Sequence, residues 1–201
     1  TSRGGLPKIF LENMNFEKYA DYAINMPLLF IDRDNKHISF SGKDFQDFMN
    51  GSIKEVNNEL PSSRDLEIHL STIFTEVRLK KYLEIRSLDA CEWDCHCAGP
   101  AFYTGLVYGK LNEALDIINN WEINEILNAY LEAPKNGLKT EINGKSILYW
   151  SKIFLNLSKE GLLLRNQLNQ KGNNETVFLK NIENILNENK TKAEKTLDSL
   201  N

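Results

Sequence analysis

The segment Val77-Arg-Leu-Lys-Lys-Tyr-Leu-Glu-Ile-Arg-Ser-Leu-Asp89 constrains this chain more than any other stretch, because it reads as one strand with two unlike faces. Side chains alternate along a strand. Leu79, Lys81, Leu83 and Ile85 therefore share one face, and Arg78, Lys80, Tyr82, Glu84 and Arg86 share the other. All but Tyr82 on the second face are ionised, which is not the pattern of a core strand. Glu84 and Arg86, two positions apart, project side by side: a carboxylate suited to a divalent metal and a guanidinium suited to an anionic group. An exposed sheet face with a surface ion pair has the same pattern, and the pattern alone leaves both readings open.

Around that strand, the front of the chain reads as mixed and the back as helical. Residues 15–25 have helical spacing, with Phe16, Tyr19, Ala20 and Ala23 on one face, and Pro27 ends them. Leu28 to Asp32 and His37 to Ser41 are apolar strands about Arg33-Asp34-Asn35-Lys36, whose Asp and Asn tolerate the positive φ of a tight hairpin. Lys43 to Asn50 is a short helix with Phe45, Phe48 and Met49 inward, stopped by Gly51. After a loop over 52–61, Ser62 and Asp65 form a capping box for a helix over 63–74 carrying Leu66, Leu70, Ile73 and Phe74 at helical spacing. Beyond Pro100, helical periods run over 100–109, 111–119, 122–133, 145–170 and 175–188. The expected class is α+β, helix-dominated, with a short antiparallel sheet portion. Its parts are 1–99, mixed and contributing strands, then 100–190, helical, then a disordered tail over 191–201.

Charge and cysteine usage exclude several functions. The formal charge is −4, from 24 basic and 28 acidic residues with no long run of either sign, so no general grip on nucleic acid or anionic membrane is expected. No apolar stretch reaches the roughly 18 residues of a membrane span, and the first residues lack the pattern of a signal peptide. A cytoplasmic protein is expected. Cys91, Cys95 and Cys97 cluster near His96, but no second Cys/His group follows to complete a zinc site, so they are read as three free thiols in a reducing compartment. His69 reads as a structural histidine on an amphipathic helix rather than a general base.

Tyr82-Leu-Glu-Ile-Arg-Ser-Leu-Asp89 resembles the signature strand of glutamate–cysteine ligases, and Arg78, Leu79, Lys80 and Lys81 match the form found in plants and many proteobacteria. Phe16-Glu17-Lys18-Tyr19, Asp21-Tyr22-Ala23, Pro27, Asp47-Phe48-Met49 with Gly51, and Glu59-Leu60-Pro61 are similar to successive landmarks of the family, in order. His69-Leu70, Thr72-Ile73-Phe74, Trp93, Cys97, Pro100-Ala101-Phe102, Gly105-Leu106 and Gly137-Leu138-Lys139-Thr140 continue the series. The resemblance implies the C-terminal portion of a glutamine synthetase-like ligase fold, because the family's carboxylate-rich ATP and metal strands come earlier than this match. The opening Thr1 to Pro7, without an initiator Met, is read in the same way, and the missing N-terminal half becomes an expected partner.

The activity so implied is ATP-dependent joining of the γ-carboxylate of L-glutamate to the amino group of L-cysteine, the first step of glutathione synthesis, with Mg²⁺ as cofactor and the isolated chain inactive. By the resemblance, Glu84 ligates Mg²⁺ and Arg86 contacts glutamate or the acyl-phosphate oxygens, as both catalytic and substrate-binding residue. Tyr22, ahead of Tyr19, reaches the amine-acceptor pocket, and Asp89, with Ser87, orients substrate or metal. Arg78 and Lys80 share the Arg86 face and could meet phosphate, with solvated sheet-edge charge the preferred reading. Ser87, Ala90 and Cys91 stand where the plant pattern is glycine-rich, which alters the loop there. A disulfide switch of plant-type members maps near Phe40 and Glu55 and is expected to be absent. The alternative is a non-catalytic helical interaction or regulatory module derived from a carboxylate–amine ligase. A relative using another amine is a third reading, and an open sheet edge makes a homo-oligomer an expected state.

Overall fold

The computed structural model describes residues 3–40, 42–89 and 91–200, and its contacts divide the chain into two compact units, Thr1–Leu88 and Asp89–Asn201. Thr1 and Ser2 of the opening segment, Ser41 at the end of the expected hairpin strand, and Ala90 of the expected loop change lie outside the described residues.

In the first unit, β1 (Gly4–Gly5) and a 3₁₀ turn over Lys8–Leu11 lead into α1 (Phe16–Ile24). The Asn15 side chain caps α1 by accepting the Lys18 N–H at 2.8 Å. Tyr19 and Ala23 are buried, whereas Phe16 and Ala20, expected on the same face, are exposed. Strands β2 (Phe30–Arg33) and β3 (Lys36–Ser39) form the expected hairpin, with Asp34 and Asn35 at φ 52° and 60° in the turn. α2 (Phe45–Met49) carries a capping box between Asp44 and Asp47 and ends at Gly51, φ 62°. Five residues make little more than one turn, and the core takes Phe45 and Phe48 but leaves Met49 exposed. Leu28, Ile31, Phe40, Phe45, Phe48, Ile53 and Val56 form that core.

α3 (Ser63–Ser71) begins at the predicted Ser62–Asp65 capping box. Asp65 does more than cap. It also accepts both Nη groups of Arg33, at 2.7 and 3.1 Å, and so ties the β2–β3 hairpin to α3. Burial alone would raise the Asp65 carboxyl, but hydrogen bonds from Arg33 and Ser62 outweigh it and hold the group below its ordinary range. The helix buries Ile68 and His69 and exposes Leu66. It stops before the predicted Phe74, because Thr72 turns its hydroxyl back onto the His69 carbonyl at 2.7 Å and Phe74 enters a strand. β4 (Phe74–Thr75), β5 (Val77–Leu79) and β6 (Leu83–Ile85) complete the unit. One antiparallel sheet was expected here. Instead, the described residues hold separate two-stranded ladders: β1 with β4, in parallel, and β2 with β3 and β5 with β6, antiparallel.

The second unit is helical near the predicted positions, in α4 (Ala98–Gly109), α5 (Leu111–Ile118), α6 (Ile123–Asn136), α7 (Ile147–Arg165) and α8 (Lys180–Glu188). However, α6 runs past the predicted end through Pro134, the predicted 145–170 is helical only up to Asn166, which turns left-handed, and Glu175–Leu179 is a 3₁₀ turn. A small hairpin of β7 (Glu141–Ile142) and β8 (Lys145–Ser146) turns at Asn143 and Gly144, both at positive φ. α4 and α7 cross backbone to backbone. A Cβ on Gly105 would lie 2.2 Å from the Ser158 carbonyl oxygen, and one on Gly161 would lie 2.0 Å from that of Gly105. The segment expected as a tail contains α9 (Lys192–Leu200). Reciprocal Thr191–Glu194 capping bonds of 2.7 and 3.2 Å start it, and Lys192 pairs with Glu92 at 2.8 Å. The expectation of three free thiols is also overturned. A 3₁₀ turn over Trp93–Cys95 brings Cys91 and Cys95, 6.1 Å apart at Cα, into a disulfide, and Cys97 alone is free and exposed.

Candidate active site

The predicted continuous strand over Val77 to Asp89 is a hairpin. Lys80 to Tyr82 form its turn, closed by the Lys80 N–H donating to the Tyr82 carbonyl at 2.9 Å, and the ladder ends at Ile85. Folding back lets the segment satisfy its own backbone donors and acceptors, which a lone strand cannot do. Arg78 then stands opposite Glu84, Leu79 opposite Leu83 and Val77 opposite Ile85. Cross-strand pairing thus builds the charged face, in addition to the spacing along one strand.

Arg78, expected as solvated edge charge, is 6% exposed. Its Nη1 donates to the carbonyls of Ser71 and Ile73, at 2.5 and 3.2 Å. Ser71 is the last residue of α3, so the cation sits where helix carbonyls lack partners and the helix dipole is negative. Its Nε and Nη2 both reach Glu84 Oε2, at 2.8 and 2.7 Å. The other carboxylate oxygen, Oε1, accepts Arg86 Nη1 at 3.2 Å. The Arg78 hydrogen bond first, then the charges of Arg78, Arg86 and Lys80, hold the Glu84 carboxyl below its ordinary range. Arg86 lies 5.7 Å over the Phe74 ring, and its backbone N–H donates to the Glu76 carbonyl at 2.8 Å. Among the described residues Glu84 is the hydrogen-bond partner of the Arg86 guanidinium, through Nη1 alone. That leaves most of a planar donor fork for an anion.

The opposite face of the hairpin is apolar. Val77, Leu79 and Leu83 line a groove of about 420 Å³ together with Phe10, Met14 and Tyr19. The Tyr19 hydroxyl accepts the Leu79 N–H at 3.1 Å and so fastens β5 to α1, and burial raises the pKa of the phenol and so disfavours its ionisation. Tyr22 packs edge-on to Phe10, with ring centroids 5.4 Å apart. Burial, then the neighbouring Tyr19, pushes its phenol up to about 12, so it stays a neutral hydroxyl that keeps its O–H as a hydrogen-bond donor. Asp89 opens the second unit and is exposed, with no hydrogen bond or ion pair among the described residues. Of the expected site residues, Glu84 and Arg86 are therefore brought together, Tyr22 lies on α1, and Asp89 belongs to the other unit.

His69 is buried, stacked 4.6 Å from Phe45, and its Nε2–H donates to the Ala23 carbonyl at 2.7 Å. It holds structure. Among the described residues no three Asp, Glu, His or Cys side chains gather as a metal site. Glu84 is ionised, but Arg78 takes its Oε2 and Arg86 shares its Oε1, so it could offer a divalent cation one oxygen and not a whole site. Arg78 was missed as a site residue, although a signal existed. Arg78 and Glu84 lie three positions either side of Lys81, and Leu79/Leu83 and Val77/Ile85 are apolar pairs about the same centre.

Comparison with known proteins gives one answer. A family model described as glutamate-cysteine ligase family 2 matches residues 1–199. A chloroplastic glutamate–cysteine ligase of Solanum lycopersicum is 38% identical over 197 residues, which is 97% of this chain and 36% of that protein. One of Arabidopsis thaliana is 38% identical over 200 residues, 98% of this chain and 37% of that protein. Glutamate–cysteine ligase A, chloroplastic, of Oryza sativa subsp. indica is 37% identical over 197 residues, 97% of this chain and 39% of that protein. The chain thus spans well under half the length of these relatives.

Proposed function

The chain belongs to glutamate-cysteine ligase family 2, and on that premise we propose that the protein carrying it joins the γ-carboxylate of L-glutamate to the amine of L-cysteine with ATP, this chain supplying part of the site. The observation that carries the reading is Arg86, held by Glu84 on one side and the Phe74 ring beneath, with guanidinium donors to spare. In the reaction, ATP phosphorylates the carboxylate and the amine displaces phosphate, so negative charge builds on oxygens at both steps. A planar cation already fixed before the substrate arrives stabilises that charge with little reorganisation. Mg²⁺, when bound, neutralises charge on the transferring phosphoryl group. Glu84 would offer it one ligand, through the lone pair of Oε1 that Arg86 does not use, and the other ligands would come from elsewhere.

Tyr22, as a protonated phenol, suits a donor role in the acceptor pocket, and Asp89 suits orientation of substrate. The glutamine synthetase-like fold, the C-terminal position and the inactivity of the isolated chain belong to the same proposal. So does cytoplasmic residence, although the plant relatives carry "chloroplastic" in their names. Among the described residues no helix is long and apolar enough to cross a membrane.

ADP release with glutamate, cysteine and Mg-ATP tests the reading in a protein of the relatives' length that contains this chain. Arg86→Ala is expected to lower turnover about 100-fold or more, the scale of removing one donor aimed at developing charge. Turnover indifferent to Arg86 would make the hairpin a scaffold and the reading wrong.

A further inference from the structure

We propose that Arg78 is a positioning residue for glutamate recognition: it clamps Glu84, and Glu84 in turn holds Arg86 in one orientation. The inference rests on the ligase reading of Arg86. A surface Glu–Arg pair two residues apart on a strand is loose, because both side chains keep their rotamer freedom. This pair differs in having a buried third member. Arg78 is fixed from behind by the Ser71 and Ile73 carbonyls, and it spends Nε and Nη2 on a single oxygen of Glu84. Two donors on Oε2 fix the carboxylate plane, which leaves Oε1 directed at Arg86 Nη1. The chain of contacts runs from the end of α3 through Arg78 and Glu84 to Arg86, with Phe74 as the floor. Glu84 also separates two guanidiniums that would otherwise repel. Removing Arg78 frees the carboxylate to rotate and lets Arg86 leave its seat over Phe74, without touching substrate itself. Supporting residues of this kind act on the group they orient, with losses of roughly tenfold to a hundredfold when removed.

The test uses the relatives' length of protein with Arg78→Gln, Arg78→Lys, Glu84→Gln and the double variant Arg78→Gln/Glu84→Gln. Arg78→Gln is expected to lower kcat/KM for glutamate about tenfold while the KM for ATP stays within about threefold. In the Glu84→Gln background the same change should cost less than about twofold, because the connection is already cut. Circular dichroism checks folding, and Arg78→Lys, which keeps the charge but loses the fork, replaces Arg78→Gln if that variant does not fold. A second readout is free of turnover: glutamate binding followed by calorimetry without ATP should weaken about tenfold in Arg78→Gln and by less than about twofold when the same change is made in the Glu84→Gln background. Losses that multiply across the two backgrounds, a rise in the KM for ATP in step with that for glutamate, or glutamate binding unmoved by Arg78→Gln would each overturn the inference. No glutamate-dependent ADP release from the unmutated protein would sink the ligase reading and this inference together. Release that ignores Arg78 would sink the inference alone.

Discussion

At the scale of single residues, the buried groups set how this chain responds to pH. His69 is 1% exposed, and its Nδ1 has no hydrogen-bond partner. Burial first, and Arg3 nearby, hold it below its ordinary 6.5, outweighing the Ala23 carbonyl that would raise it. The unfolded chain therefore takes up a proton that the folded chain refuses. The stability this contributes is complete above about pH 6.5 and drains away as pH falls towards the lower folded value. Asp65 and Glu84 are held low, so their contribution is intact above about pH 4.5 and drains away only below it. Urea midpoints should be flat above pH 7, begin to fall as pH drops below about 6.5, and fall further below about 4.5. His69→Gln should erase the first decline and leave the second. A first decline that survives His69→Gln would assign it to another group.

At the scale of elements, capping and turn chemistry were readable locally and packing was not. The Ser62–Asp65 box, the Asp34-Asn35 turn and the Gly51 stop all came from side chains acting on backbone a few residues away. The hairpin at β5 and β6 was missed because an alternating pattern is identical for one strand and for two strands folded at its centre. Only the partner decides, and here the segment is its own partner. The α4–α7 crossing is another element that spacing does not reveal, since a glycine in a helix is ordinarily a small penalty and here it permits backbone contact. Gly161→Ala should therefore cost about 3 kcal/mol or more, beyond the gain in helix propensity, and lower the thermal midpoint by several degrees. An unchanged midpoint in calorimetry would mean that the helices separate without penalty. In protein purified without reductant, alkylation should add one label, at Cys97, and three after reduction.

At the scale of the whole molecule, the chain is two compact units and a minor part of the length of its relatives. Its described residues supply one ionised carboxylate and one seated guanidinium, and they gather no metal-ligand cluster. Phosphoryl transfer needs several cations around the transferring group. The chain by itself is therefore expected to release no ADP above background with glutamate, cysteine and Mg-ATP, and on the proposed reading a protein of the relatives' length containing it is expected to turn over. Turnover by the chain alone would place a complete site within these residues.

The family, the helical second unit and the pairing of Glu84 with Arg86 were all legible in the sequence, because motif, helical period and i, i+2 spacing on a strand are properties of neighbours along the chain. Burial of Arg78, the separation of the strands into independent ladders, the Cys91–Cys95 bond and the helix in place of a tail were decided only in three dimensions. Each depends on what a group meets far along the chain or across a turn. A cation reads as surface charge until the end of a helix is found to supply carbonyls for it, and no local pattern states that the two will meet.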